Sequence, residues 1–393
     1  MHPGHRFAII YFLDQTVGAL LCGFLGLLHF PLKLIARRSA AQAPARTVLV
    51  LKWFGIGSLV FLQPLLKNIK KTYPGCRIIF LTFEGNRTLL EAFGNCDEIC
   101  GIRLNALFPW NVLRAVFHLR RARVDAGIDL EFYSAFSTFM LFLSGARRRI
   151  GFNLPYFWRR SLLTDPVFFN YFRHVTEVYR SAGRLLGVDY QDLRPGPLPV
   201  RQEARDNVSA YLRENGWPGN TPLVGINVNA GEMAYSRRWP KSYFLRLMRG
   251  ILAQKPDACL VLTGSREEKT YVDEVFAGLE TGERSRVINS AGALSLLEFI
   301  ALISRLSLFI TNDSGPLHLA YAQDIPTVSF WGPGSPAFYG LEGQRHMMFY
   351  ERLDCSPCLY IYRTEPGYLC GSQARCLREI TPEKVLPSVL RML

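Results

Sequence analysis

The chain is short of acidic residues, and this shortage limits which partners it can bind. Its 393 residues hold 32 Asp and Glu against 46 Lys and Arg, which gives a formal net charge of +14. The imbalance predicts an anionic partner, such as a phosphorylated lipid, a membrane surface or a nucleic acid. The basic residues lack an interleaved aromatic stacking motif and a recognisable reading module, so we expect no nucleic acid to bind.

The sequence also lacks a long apolar run. Residues 7–35 are strongly apolar, but the uncharged run 16–32 is at the short end of what crosses a bilayer. A signal peptide fits poorly, because no small-residue cleavage site stands before the basic flank 33–46. We interpret residues 1–45 as a membrane-associating segment and linker that spans the bilayer or lies in its interface, and whose positive flank keeps the body of the protein cytoplasmic. An extra helix packed on the globular part is the alternative.

The sequence also lacks a complete dinucleotide-binding motif. Gly55 and Gly57 follow a buried-strand pattern at residues 47–52, but a third glycine and a well-placed acidic residue are missing, so no nicotinamide or flavin site is predicted. Further strand patterns at residues 77–82 and 125–130 alternate with helical segments. Such alternation predicts a parallel sheet covered on both faces. We expect a first Rossmann-like domain over residues 46–195, followed by a Pro- and Arg-rich linker.

A second α/β unit is predicted over residues 196–393. Its most informative stretch is residues 310–336, which read ITNDSGPLHLAYAQDIPTVSFWGPGSP. A buried strand there runs into a short loop and a helix that begins near Pro316. Strand, loop and helix N-terminus make an anion site, because backbone N–H groups and the positive end of the helix dipole point at one spot. A phosphate group would fit, although an ordinary capped turn would have the same local chemistry.

The whole stretch closely resembles the nucleotide-sugar-binding signature of glycosyltransferase family 9, the bacterial heptosyltransferases of lipopolysaccharide core assembly. The resemblance covers roughly residue 47 to the C-terminus. It implies an α/β protein with two Rossmann-like domains facing a cleft, the glycosyltransferase B fold, preceded here by an N-terminal apolar membrane-associating helix. It also implies inverting transfer of a sugar from a nucleotide diphosphate sugar to a hydroxyl, with no cofactor required for catalysis.

Several donor-site residues follow from this resemblance in the loops after the first two strands of the second domain. Asn229 and the basic-Trp-Pro motif would lie at the diphosphate, where Arg237 or Arg238 would contact it. An arginine suits this role because its planar fork holds two phosphate oxygens and keeps its charge. Glu267 would lie near the nucleoside, where a carboxylate can accept both ribose hydroxyls, although an exposed Glu at a helix start is the alternative.

The remaining donor-site residues belong to the signature stretch itself. The resemblance implies that Asp313, Ser314 and Gly315 cradle the phosphates, mainly through backbone N–H groups. His318 would then donate to a phosphate oxygen, or it would be a satisfied core histidine.

The catalytic residues are where this chain departs from the family. The familiar heptosyltransferases carry Asp directly after the glycine of the first loop, and this chain has Ser58 there. A hydroxyl cannot act as a general base unaided. Among the carboxylates at comparable strand ends, which are Glu84, Asp129 and Glu131, we favour Glu131 as the base. The departure leaves open a non-catalytic, membrane-tethered nucleotide-sugar-binding or scaffold protein.

A cluster of cysteines lies in the segment 355–376. Cys355, Cys358, Cys370 and Cys376 have the number and type of ligands for a structural zinc ion, although the second pair is more widely spaced than usual. Free packing thiols and disulfides are the alternatives, and a cytoplasmic setting disfavours disulfides.

Together these patterns predict a membrane-associated glycosyltransferase at the cytoplasmic face of the inner membrane. The leading hypothesis for the donor is ADP-heptose, and for the acceptor a lipopolysaccharide-type or other anionic lipid-linked glycan. Residues 101–160 contain ten Arg and three acidic residues. We therefore expect the basic first domain to hold the acceptor and the second domain to hold the donor.

Overall fold

The structure, a computed structural model, describes residues 12, 14–35, 45–153, 157–231, 235–359, 370 and 373–393. The chain divides into two units, Met1–Pro195 and Gly196–Leu393. Each unit is built on one six-stranded sheet in which every strand pair is parallel. The predicted α/β class with two Rossmann-like domains is confirmed.

The first sheet has the spatial order β3-β2-β1-β4-β5-β6. Its strands are β1 (Thr47–Leu51), β2 (Arg77–Phe83), β3 (Glu98–Ile102), β4 (Ala126–Asp129), β5 (Arg148–Asn153) and β6 (Asp165–Phe168). The central strand β1 is a continuous aliphatic run whose last four residues are buried, as expected for a parallel strand covered on both faces. The strand order reverses between β1 and β4, so the loops that follow these two strands diverge.

Helices connect these strands and cover both faces of the sheet. They are α1 (Ala19–Ile35), α2 (Ile56–Val60), α3 (Gln63–Thr72), α4 (Arg87–Phe93), α5 (Phe108–Ala122), α6 (Ala135–Leu143), α7 (Phe157–Leu162) and α8 (Val175–Leu186). A π-helical turn, Asp14–Gly18, precedes α1, and a 3₁₀ turn, Glu84–Asn86, precedes α4.

The N-terminal helix packs on the first unit. The Asp14 carboxylate accepts hydrogen bonds from the Ser134 hydroxyl at 2.9 Å and from the backbone N–H groups of Ala135 and Phe136 at 2.9 and 2.7 Å. These are the first donors of α6, so Asp14 caps that helix from outside. Cys22 is fully buried between α1 and α6. The remainder of the predicted segment 1–45 lies outside the described residues.

Of the helices that the structure describes, none has the length and apolar character needed to cross a bilayer. The inner face of α1 agrees with the alternative interpretation, in which this helix packs on the globular part. Its outer face carries the exposed side chains of Leu20, Phe24 and Leu27.

The second sheet has the spatial order β12-β11-β10-β7-β8-β9. Its strands are β7 (Leu223–Asn227), β8 (Cys259–Thr263), β9 (Val287–Asn289), β10 (Leu308–Asn312), β11 (Thr327–Trp331) and β12 (His346–Tyr350). Here the order reverses between β7 and β10, and both strands end in asparagine. All residues of these two strands are buried.

The helices of the second unit complete the covering layers. They are α9 (Gln202–Glu214), α10 (Lys241–Gln254), α11 (Lys269–Ala277), α12 (Thr281–Arg284), α13 (Leu296–Ile303), α14 (Gly315–Ala322), α15 (Pro336–Tyr339), α16 (Arg375–Arg378) and α17 (Pro382–Met392). The last helix, α17, packs along α10. Trp239 and Phe330 stack in the core between sheet and helices, with ring centroids 4.1 Å apart.

The anchoring of α1 can be tested at its cap. We expect Asp14→Ala to lower the free energy of unfolding by about 1–2 kcal/mol, because two helix N–H groups and a hydroxyl lose their acceptor. The matched control is Asp206→Ala on the exposed surface of α9, which should cost less than about 0.5 kcal/mol. Urea unfolding of the full chain measures both values, and equal losses would contradict the anchoring role.

Candidate functional site

The carboxyl edge of the second sheet gathers polar side chains at the end of β7 and β10. The amide of Asn227 donates to the hydroxyls of Thr311 and Ser314 at 3.1 and 3.2 Å. The Ser314 hydroxyl therefore bonds to the neighbouring strand, and it does not cap its own helix. The helix α14 begins at Gly315, and its first N–H groups have no intrahelical partner. They face the same edge as the two strand ends.

Asn312 fixes the loop that carries the basic-Trp-Pro motif. Its side-chain oxygen accepts from the backbone N–H of Trp239 at 2.8 Å, and its amide donates to the carbonyl of Asn229 at 3.1 Å. Trp239 is fully buried, and its indole N–H donates to the carbonyl of Ile380 at 2.8 Å. Trp239 is therefore a packing residue that holds the preceding arginines in place.

Arg237 points toward the start of α14. Its Nη1 lies 3.7 Å from Oδ2 of Asp313, and its Nη2 donates to the carbonyl of Ala230 at 3.0 Å. Burial raises the pKa of Asp313, and the Arg237 guanidinium opposes that shift. The Asp313 carboxylate packs on Gly334, where an added Cβ would lie only 2.1 Å from Oδ2. Gly334 therefore makes room for the acid that orients Arg237.

The role of Asp313 differs from the predicted one. Its backbone N–H donates to the carbonyl of Phe330 at 3.1 Å, so this amide belongs to the sheet. It cannot help to cradle a phosphate as the sequence suggested. The amides of Ser314 and Gly315 are in a better position for that task because they open the helix.

The Arg238 side chain has different partners from the Arg237 side chain. Its Nε donates to the side-chain oxygen of Asn229. Its guanidinium lies 4.1 Å from the ring centroids of both Tyr235 and Tyr271. An arginine held between two aromatic rings keeps its charge and loses little further freedom on binding an anion.

Five of the predicted donor residues thus meet in one hydrogen-bonded network, and the others lie beside it. The five are Asn229, Arg237, Arg238, Asp313 and Ser314. Gly315 opens α14, and His318 lies buried one turn further on, against the rings of Tyr321 and Tyr339. Glu267 is exposed in the turn after β8, where its own backbone amide and Ser265 hold its pKa below the usual value.

The sequence reasoning missed the residues that tie these side chains together. They are Asn227, Asn312, Tyr235, Tyr271 and Gly334. A usable signal existed for the first two, since each is an asparagine at the end of an aliphatic strand. Polar residues in that position of a parallel sheet commonly face a ligand.

The carboxyl edge of the first sheet is organised by a buried ion pair. Lys52, which follows β1, places its Nζ 2.9 Å from Oε2 of Glu131, and both side chains are fully buried. The other oxygen of Glu131 accepts from the backbone N–H groups of Trp53 and Phe54 at 2.6 and 3.1 Å. Both carboxylate oxygens of Glu131 therefore already have partners, and the buried side chain is shielded from an acceptor substrate. This geometry does not support the predicted base role and indicates that Glu131 positions the loop after β1.

The other carboxylates of this edge are also paired. Asp129 is fully buried and accepts from Arg159 at 2.9 Å; burial raises its pKa and Arg159 opposes the shift. Glu84 is partly exposed after β2, where the Arg87 guanidinium holds its pKa below the usual value. Ser58 is buried in the first turn of α2.

The cysteine cluster does not form a metal site in the described part of the chain. Within residues 12, 14–35, 45–153, 157–231, 235–359, 370 and 373–393, no three His, Cys, Asp or Glu side chains are placed to hold a metal ion. Cys355 is exposed and Cys376 is buried. Burial, together with the nearby Cys370 and Cys358, raises the pKa of Cys376 to about 11. The predicted zinc site is therefore not supported, and the segment between Cys358 and Cys370 lies mostly outside the described residues.

Known proteins resemble this chain along most of its length. A family model described as glycosyltransferase family 9 (heptosyltransferase) matches residues 112–369. Lipopolysaccharide heptosyltransferase 2 of Salmonella typhimurium is 26% identical over 359 residues, which are 88% of this chain and 98% of the relative. Lipooligosaccharide heptosyltransferase 2 of Haemophilus ducreyi is 32% identical over 292 residues, 72% and 82% of the two chains.

A solved structure shares the fold. The E. coli ADP-heptose lps heptosyltransferase II superposes with a TM-score of 0.69 at 22% identity. The superposition covers 88% of this chain and 98% of the E. coli chain.

The contact between Gly334 and Asp313 generates a stability test. We expect Gly334→Ala to lower the free energy of unfolding by about 1–3 kcal/mol, because the added methyl group must displace a buried carboxylate. The matched control is Gly282→Ala, whose Cβ would meet no atom within 4 Å. Chemical denaturation of both variants gives the comparison, and a cost below about 0.5 kcal/mol at Gly334 would show that the carboxylate has room to move.

Proposed function

The chain belongs to glycosyltransferase family 9, the heptosyltransferase family, and on that premise we propose that it transfers heptose from ADP-heptose to a lipopolysaccharide-type acceptor. The observation that carries the proposal is the network at the ends of β7 and β10. It directs Arg237 and the first turn of α14 to one place. A diphosphate there would meet a guanidinium and helix N–H groups together.

The donor network suits the departure of a diphosphate. In the proposed reaction the acceptor hydroxyl oxygen bonds to the anomeric carbon while the bond from that carbon to the diphosphate oxygen breaks. The electron pair leaves with the diphosphate, and the hydroxyl proton passes to a base. Arg237, Arg238 and the amides of Ser314 and Gly315 would stabilise the charge that develops on the leaving group. Their fixed positions mean that little reorganisation accompanies the step.

Of the two remaining predicted donor contacts, Glu267 keeps its proposed role, and for His318 we favour the alternative of a core histidine. Glu267, in the turn after β8, would accept hydrogen bonds from the ribose hydroxyls of the nucleoside. His318, one turn into α14, would lie behind the phosphates and support the helix that holds them.

On the acceptor side we assign Glu131 a positioning role. It holds the backbone of Trp53 and Phe54 and so shapes the loop that ends at Ser58. Glu84 is the strand-end carboxylate with partial solvent access, which makes it the alternative base. Its pairing with Arg87 weakens it as a base until that contact opens.

We further propose that the chain works at the cytoplasmic face of the inner membrane. A lipid-linked acceptor is confined to a bilayer, and α1 carries exposed apolar side chains at Leu20, Phe24 and Leu27. A helix with one apolar face outward and the other packed on protein suits a position in the membrane interface.

A second candidate function is a non-catalytic, membrane-tethered nucleotide-sugar-binding or scaffold protein. Two points favour it: Ser58 stands where the family resemblance implies an Asp, and Glu131 is ion-paired with Lys52. Both candidate functions require a donor site that binds the nucleotide. Only the glycosyltransferase function requires turnover.

Nucleotide binding is the first test. ADP at a hundred times its Kd should stabilise the protein by about 2.7 kcal/mol, and GDP, UDP and CMP should stabilise it less. Arg237→Gln should weaken ADP binding about 10- to 100-fold, because charge-assisted hydrogen bonds of about 1.5–3 kcal/mol are lost. The matched control is Arg213→Gln on the surface of α9. Thermal unfolding and calorimetric titration provide the readouts, and the absence of any nucleotide response would remove the donor-site assignment.

Substitution of Glu131 separates positioning from catalysis. We expect Glu131→Gln to lower the free energy of unfolding by about 3 kcal/mol, because Lys52 becomes a buried charge without its counter-ion. The double variant with Lys52→Met should recover part of this loss. The kcat of the folded single variant should fall less than about tenfold, whereas removal of a base costs about 10²–10⁴-fold.

Glu84→Gln, assayed in parallel with ADP-heptose and a lipid-linked acceptor, shows the effect of removing the accessible carboxylate. Unchanged stability of Glu131→Gln with a large loss of kcat would restore the base role of Glu131. No turnover by the unsubstituted protein, with nucleotide binding intact, would favour the scaffold function.

A further inference from the structure

The helix α5 presents an apolar stripe to solvent. Leu107, Trp110, Leu113 and Phe117 are 58, 66, 58 and 60% exposed. Their spacing of three or four residues places them on one face of the helix, while Ala115 and Leu119 on the other face are buried in the core. Large apolar side chains scattered singly need no explanation, but four in a row on one helix face form a patch that suits an interaction.

Positive charge surrounds this stripe. Between Glu98 and Asp125 the sequence has no acidic residue, and it contains five arginines: Arg103, Arg114, Arg120, Arg121 and Arg123. The guanidinium of Arg121 lies over the ring of Phe117, 4.1 Å from its centroid. Arg103, Arg114 and Arg123 are exposed. Long arginine side chains can lie along apolar surface and keep their charge at its border.

The helices α5 and α1 both contact α6. Phe139 on α6 packs against the hydrophobic cluster that includes Ala115 and Leu119 of α5, and also against the cluster that includes Cys22 of α1. The two helices are thus neighbours of one central helix. Their exposed apolar side chains therefore form two parts of the outer layer of the same domain.

We propose that the exposed face of α5 is a second bilayer-binding element, which enters the interface of an anionic membrane together with the outer face of α1. Tryptophan and arginine bordering an aliphatic stripe is the composition that interfacial helices use. Anionic headgroups attract the five arginines. A second copy of the chain fits this surface less well, because two such faces would bring arginines against arginines.

The proposal deepens the membrane association proposed above, and it rests on that function for the choice of a bilayer as the partner. It does not depend on the sugar or on turnover. Vesicle binding and nucleotide binding are separate measurements, so failure of one leaves the other standing.

The first experiment measures co-sedimentation of the full chain with vesicles. Vesicles of phosphatidylcholine with phosphatidylglycerol should bind the protein more tightly than vesicles of phosphatidylcholine alone, and added salt should weaken the binding. The triple variant Trp110→Ser, Leu113→Ser, Phe117→Ser should partition at least about tenfold more weakly. These side chains are exposed, so the variant should keep the unfolding midpoint of the unsubstituted protein in the absence of lipid, which shows that it is folded.

The matched control removes exposed aromatic side chains elsewhere on the same domain. Phe168 and Phe172 are 80 and 90% exposed, at and after the end of β6. The double variant Phe168→Ser, Phe172→Ser should keep its vesicle binding. An equal loss in the control and the triple variant would overturn the assignment to α5.

The second experiment locates Trp110 directly. Of the other five tryptophans, Trp53, Trp217, Trp239 and Trp331 are buried, and Trp158 is replaced by Phe in the background used. Lipids brominated on their acyl chains should therefore quench chiefly Trp110 in the bound protein. Trp110→Phe keeps the apolar stripe and should bind vesicles while losing most of this quenching. Binding without quenching of Trp110 would overturn the proposal. So would a lipid-free dimer that the triple variant abolishes, because the stripe would then be an interface between two copies.

Discussion

Parallel pairing of strands that are buried on both faces is the constraint on which the rest of this structure depends. Such strands have no polar face, so apolar runs fill their interior positions and polar side chains collect at their ends. In each sheet the order reverses once, and the loops after the two central strands diverge there. Lys52 and Glu131 occupy these ends in the first sheet, and Asn227 and Asn312 occupy them in the second.

This constraint also explains what could be predicted from the sequence. Strand patterns and the Asp-Ser-Gly-Pro loop are local, so the two sheets and the start of α14 followed from reading the chain in order. The Lys52–Glu131 pair is not local, because it requires knowing that β1 and β4 are neighbours in the register Leu51 to Asp129. Glu131 was therefore predicted as a base from its position after a strand end and from the family resemblance at that place. The hydrogen bond from Asn227 to Ser314 could not be predicted for the same reason, because it also joins two residues that are distant in sequence.

The large positive charge of the chain can likewise be interpreted only when the burial and the partners of its arginines are known. Arg159 is fully buried, and its charge is matched by Asp129 inside the first domain. Arg237 and Arg238 are fixed by an acid, an amide and two tyrosines at the end of the second sheet. The five arginines between Glu98 and Asp125 have no acidic residue among them in the sequence. Net charge thus divides into a structural part, a part that faces the candidate diphosphate site and a part that faces outward.

A buried ion pair is a costly way to stabilise a fold, since both ions lose their hydration. Its place in this chain suggests what it contributes instead. Lys52 and Glu131 stand at the reversal point of the first sheet, and Glu131 holds two successive backbone amides of the loop after β1. An apolar pair could fill the same volume but could not hold those amides. The pair therefore specifies the conformation of the loop after β1, which is a role that a buried ion pair can fill even where it adds little net stability.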